Sequence, residues 1–73
     1  MLDLFKQIIA ILQTIAGSPT AQKILLCLVT QSGWPAILQC ILSQPVVMGA
    51  PAEEHAAHAA CVAAIQTHIA ANP

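Results

Sequence analysis

Four prolines inside the chain, at positions 19, 35, 45 and 51, decide what it can become. A proline within a helix removes a backbone hydrogen bond and collides with the preceding turn. Helices therefore start at prolines or stop before them. No segment between these points alternates apolar and polar residues with the period of a strand. The chain is expected to be all-α, with four helices and no sheet.

Each piece carries its own start or stop signals. Over residues 2–16, at about 100° per residue, Asp3, Lys6, Gln7, Ala10, Gln13 and Thr14 share one side. Leu4, Phe5, Ile8, Ile9, Ile11, Leu12 and Ile15 share the other. This pattern predicts an amphipathic helix with Gly17 as its stop. Ser18-Pro19 reads as the cap and first residue of a second helix. Its run AQKILLCLVTQ is apolar nearly all round and is expected to be deeply buried.

Gly33-Trp34-Pro35 opens a third helix, with proline expected at its first position. There Ile37, Leu38, Ile41 and Leu42 form one apolar stripe. Trp34, at a bend flanked by apolar stripes, is expected to pack between the second and third helices. Pro45 ends that helix, and residues 45–51 form a long loop. Pro51 starts a fourth, alanine-rich helix with Glu53 and Glu54 in its first turn, where the helix dipole favours acids. Its larger apolar residues are Cys61, Val62, Ile65 and Ile69.

Composition limits the function classes. Hydrophobic residues make up 58% of the chain and charged residues 7%, against about 45–50% and about 25% in ordinary domains. So few charges cannot cover a small domain, and leftover apolar surface marks an interface. Net charge is −1, and Lys6 and Lys23 are the only basic residues besides histidine. That argues against nucleic acid and against a basic membrane-binding helix. The longest unbroken apolar run, ILLCLV at 24–29, is far short of the ~18 residues that a membrane span needs. The opening MLDLFKQIIAILQTIAG has an acid at Asp3 and no basic stretch, so it does not read as a secretory signal.

Chemistry-bearing residues are sparse. Cys27, Cys40 and Cys61 give an odd count at wide spacings. They read as small buried hydrophobes rather than a disulfide framework, with a reducing compartment as the simpler setting. His55, His58 and Cys61 recur every third residue of the fourth helix, and His68 follows one heptad after Cys61. Zinc or copper uses such ligands, but steps of three drift around the helix, so no metal and no cofactor is expected. Glu54 with His58 is the one acid–imidazole pair at helical spacing. A Cys61 nucleophile beside His58 or His68 would lack an orienting acid and any oxyanion feature. The chain is expected not to be an enzyme.

The chain also echoes itself: AILQTIAGSP at 10–19 returns as AAIQTHIAANP at 63–73 with one extra residue. Similarity at such a spacing suggests a helical repeat. On these segments the chain resembles the armadillo and HEAT family of α-solenoids. AQKILLCLVTQ resembles the first helix of an armadillo-type repeat, and SGWPAILQCILSQP its turn and second helix. EEHAAHAACVAAIQTHIAANP resembles the third. The opening helix resembles the third helix of a preceding repeat.

The resemblance implies a single domain over residues 1–73: a leading helix at 1–17, then one repeat at 18–73. The alternative architecture is a compact four-helix bundle. It further implies a concave binding surface made by Asp3, Lys6, Gln7, Ala10, Gln13 and Thr14 with Ala63 and Thr67 of the fourth helix. Where family members grip extended peptides with an Asn and a Trp one turn earlier, this chain has Thr14 and Thr67, and Ala10 and Ala63. Nuclear-import-style peptide reading is therefore not expected. The implied function is a cytoplasmic or nuclear protein-binding scaffold. Its partner is another protein, neighbouring repeats or itself, through apolar faces at the ends of the solenoid, with Ile65 and Ile69 among them. The alternative is a small self-assembling or membrane-active helical protein.

Overall fold

The computed structural model describes residues 2–72, so Pro73, which closes the internal echo, lies outside the described residues. Four helices follow one another: α1 (Leu2–Gln13), α2 (Pro19–Thr30), α3 (Trp34–Leu42) and α4 (Ala52–Ala71). The described residues contain no strand.

The boundaries follow from local chemistry. α1 ends three residues earlier than its apolar pattern. Thr14 and Ile15 switch to bonds with the carbonyls three residues back, Ile11 and Leu12, both at 3.1 Å. Gly17 then takes φ +86°, a region glycine enters without strain. Ser18 caps α2, its Oγ accepting from the Ala21 N–H at 3.1 Å, and Pro19 stands in the first turn, where it loses no bond. Gly33, again at φ +86°, turns the chain into α3. Trp34 takes the first helical position and Pro35 the second, one later than expected.

α4 organises the rest. It packs against α1, α3 and α2, and α2 also packs against α3. Consecutive helices α1 and α2 are not a closely packed pair. The core gathers Leu4, Ile8, Leu12 and Ile15 with Ala21, Ile24 and Cys27, Ile37 and Ile41, and Ala57, Cys61 and Ile65. Ala57, Cys61 and Ile65 repeat every four residues, so the small-residue helix still presents one interior stripe. The radius of gyration is 11.4 Å, close to the ~11 Å expected of a compact chain this long.

Three expectations are corrected. α2 is not buried all round: Leu25, Leu26 and Val29 are 40%, 58% and 74% exposed. They share the solvent side with Gln22, Lys23 and Thr30, because only one arc of α2 faces α3 and α4. Ile65 is fully buried and is no exposed end of a stack. The cysteines are not three alike: Cys27 and Cys40 form a disulfide joining α2 to α3, with Cα atoms 5.7 Å apart, and Cys61 is a buried free thiol.

Trp34 also sits differently. It is half-buried, and its ring meets the His68 imidazole edge-on at a centroid distance of 6.0 Å. It thus braces the start of α3 against α4.

Candidate protein-binding surface

The residues expected to form a concave surface divide into three groups. Gln7, Ala63 and Thr67 do come together, lining a shallow groove between α1 and α4 with Ile11, Ala60 and Ala64. Thr14 lies on the next stretch of the same seam, beside Glu53, Ala56 and Ala60. Gln13 faces the opposite corner of α1, toward α2. Asp3, Lys6 and Ala10 are exposed and line none of these grooves. Alanines on α4 explain the close seam, since a helix without large side chains lets its neighbour approach.

A cavity of about 150 Å³ lies where the first turns of α2 and α4 meet under the 45–51 loop. Thr20, Lys23, Gln44, Glu54 and His58 line it with aliphatic loop residues. Four of these five side chains have a polar contact within the protein. Thr20 Oγ1 donates to Glu54 Oε1 at 2.6 Å. His58 Nε2 faces the Ile41 carbonyl at 3.3 Å, so this nitrogen carries the proton and donates. Gln44 Nε2 lies 3.6 Å from Cys27 Sγ and 3.5 Å from Cys40 Sγ. At half or less of the ~300–1,000 Å³ of small-molecule sites, this cavity is small for a ligand.

The metal candidates are dispersed in the fold. His55 is exposed, His58 is held by Ile41, and Cys61 is interior, with burial pushing its thiol pKa up to about 11. Among the described residues, no three His, Cys, Asp or Glu side chains converge as a ligand set.

The largest departure from an ordinary surface is apolar. Besides the α2 residues, Phe5, Leu42, Val47 and Met48 are exposed, Met48 almost completely. At the unpacked corner of α1 and α2, Ile9, Leu12, Ala16, Ala21 and Leu25 line a groove of about 240 Å³, with Gln13 and Gln22 at its polar points. The groove departs from the sequence expectation, which puts every α2 aliphatic in the core. The signal was present: Gln22, Lys23 and Thr30 mark the solvent side of α2, and Leu25, Leu26 and Val29 fall within that arc.

Comparison with known proteins gives no relative: no protein-family model, curated protein or solved structure matches the chain. No helix among the described residues is long and apolar enough to cross a membrane.

Proposed function

We propose that the chain is a non-catalytic protein-interaction module of armadillo-like, α-solenoid type. The observation that carries the binding role is the solvent side of α2. Leu25, Leu26 and Val29 stand out of a core that is already closed without them. Exposed aliphatics grouped on one face lower the free energy only when another surface covers them. In support of the repeat reading, a 12-, a 9- and a 20-residue helix follow the leading helix. Its sharp turn sits at Gly33, and α1 lies along α4 as a third-type helix of a preceding repeat would.

Of the residues expected at the binding surface, Gln7, Thr14, Ala63 and Thr67 on the α1–α4 seam form its second part, while Gln13 lies at the α2 corner and Asp3, Lys6 and Ala10 stand outside the grooves. With no exposed Trp or Arg to anchor a partner, affinity there is modest. A photo-crosslinking residue placed at Leu26 tests the reading in cells, with the same residue at Gln66 as control. Crosslinks to protein from Leu26 and not from Gln66 support it. No protein adduct from either position sinks it.

The second reading, a membrane-active helical protein, draws on Val47 and Met48 at the tip of the loop. Only two lysines are available to meet anionic headgroups. Flotation with anionic vesicles, abolished by Met48→Glu, would favour it.

The compartment is read from the thiols. The odd cysteine count supports the cytoplasm or nucleus. In a reducing compartment Cys27 and Cys40 would be free, whereas an intact bridge in cells would place the chain in an oxidising one. Alkylation of freshly lysed cells, followed by counting modified cysteines, decides between them.

A further inference from the structure

We infer that the Cys27–Cys40 bridge is a site of thiol–disulfide exchange, at which Cys40 takes a low-molecular-weight thiol such as glutathione and Cys27 leaves. This goes beyond the protein-binding reading and does not depend on it. Three observations carry it.

The first is access. Cys27 is 1% exposed and belongs to the core. Cys40 is half-buried, with exposed Gln39 before it and exposed Ser43 less than a turn beyond. Exchange begins when a thiolate reaches one sulfur of the bridge, and access helps decide which. Of the two residues, Cys40 is the one that solvent reaches.

The second is the leaving sulfur. Opening the bridge at Cys40 puts a negative charge on Cys27, which burial disfavours. Gln44 is placed to meet that charge. Its Nε2 lies 3.6 Å from Cys27 Sγ and 3.5 Å from Cys40 Sγ. A neutral sulfur is a weak acceptor, whereas an ionised acceptor strengthens the bond. The contact therefore gains most as the bridge breaks. The Gln44 backbone is held in turn, its N–H donating to the Ile41 carbonyl at 3.1 Å.

The third is a core that does not need the bridge. Ile37 and Ile41 seat α3 in the core, and α3 packs against α4. His58 holds the Ile41 carbonyl as well. The two sulfurs can part while these contacts stay.

The chemistry balances with two thiols. A glutathione thiolate bonds to Cys40 Sγ, the bridge breaks, and Cys27 Sγ keeps the electron pair and takes a proton from water. A second glutathione thiolate attacks the glutathione sulfur of the adduct. Glutathione disulfide departs, and the Cys40 thiolate takes a proton. Two glutathione thiols are oxidised and the bridge is reduced to two thiols.

The test treats the oxidised 73-residue chain with reduced glutathione, quenches with acid and locates the adduct by tandem mass spectrometry. The adduct is expected on Cys40. An adduct on Cys27, or bridge opening no faster than global unfolding, overturns the inference. A chain that forms no bridge in air does so too. With oxidised glutathione, Cys27→Ala should be modified at Cys40 at least about tenfold faster than Cys40→Ala is modified at Cys27. Equal rates count against it. Gln44→Glu keeps the shape and removes the N–H donor. It should slow opening of the bridge at least about fivefold, with the urea midpoint of the reduced chain unchanged. An unchanged rate overturns the part given to Gln44.

Discussion

Thr20 and Glu54 lie 34 residues apart, yet the threonine hydroxyl donates a 2.6 Å hydrogen bond to the glutamate carboxylate. The contact pins the first turn of α2 to the first turn of α4, and both residues are at least half-buried. A hydrogen bond to a charged acceptor is worth more than a neutral one. Thr20→Val keeps the shape and removes the donor, so it should cost about 1–2 kcal/mol. Glu54→Gln should cost less in the Thr20→Val background than in the native chain. Urea unfolding of the four-member cycle measures the coupling; additive costs would deny the bond a role.

Reduction should loosen the α2–α3 pair. The Cys27–Cys40 bridge closes a loop with a sequence separation of 13. Removing such a loop constraint costs about 3 kcal/mol, comparable with what one small core supplies. The expected result is a clear drop in urea midpoint on adding reductant, reproduced by the Cys27→Ser, Cys40→Ser double variant. That variant should show no further response to reductant.

Alkaline pH should destabilise the fold through Cys61. Its thiol is raised from 9.0 to about 11 because burial disfavours the thiolate. Below pH 9 both folded and unfolded thiols are protonated and the stability is intact. Between pH 9 and about 11 the unfolded thiol ionises while the folded one holds its proton, so stability falls as pH rises. The loss should be on the order of 2 kcal/mol by pH 11. Cys61→Ala should flatten that part of the pH profile, whatever it costs at neutral pH. Native Cys61 should also react with thiol reagents only at the rate of opening.

Trp34 braces α3 from outside the deepest core. Because it is half-buried against His68, Trp34→Ala should cost about 2–3 kcal/mol, less than a fully enclosed aromatic. His68→Ala should change the emission of this single tryptophan without unfolding the chain. Unchanged emission would mean the rings do not meet in solution.

Much of this architecture is legible in short-range chemistry. The sides of α1 read correctly except at Phe5: Leu4, Ile8, Leu12 and Ile15 are buried, Ile9 and Ile11 partly so, Phe5 is exposed, and Asp3, Lys6, Gln7, Ala10, Gln13 and Thr14 are exposed. Ser18-Pro19 and Gly33 mark helix starts because caps and positive φ depend on a few neighbouring atoms. What escaped depends on distant packing. Hydrophobicity alone does not say which arc of α2 finds a neighbour, so it puts Leu25, Leu26 and Val29 inside although they are exposed. Cysteine spacing does not say which two thiols approach, so it gives no hint of the Cys27–Cys40 bridge. On α4, the apolar stripe is legible but its neighbours are not, so Ile65 is expected at an exposed solenoid end, whereas α1 and α3 enclose it.

The central position of α4 also sets the order in which the protein can form. It is the last of the four helices to leave the ribosome, yet α1, the first, has it as a main packing partner. Until residues 52–71 emerge, the apolar stripe of α1 has no surface to close on. Folding of these four helices therefore waits for the synthesis of α4. A nascent chain stalled within the 45–51 loop would present Leu4, Ile8 and Leu12 to chaperones rather than to itself.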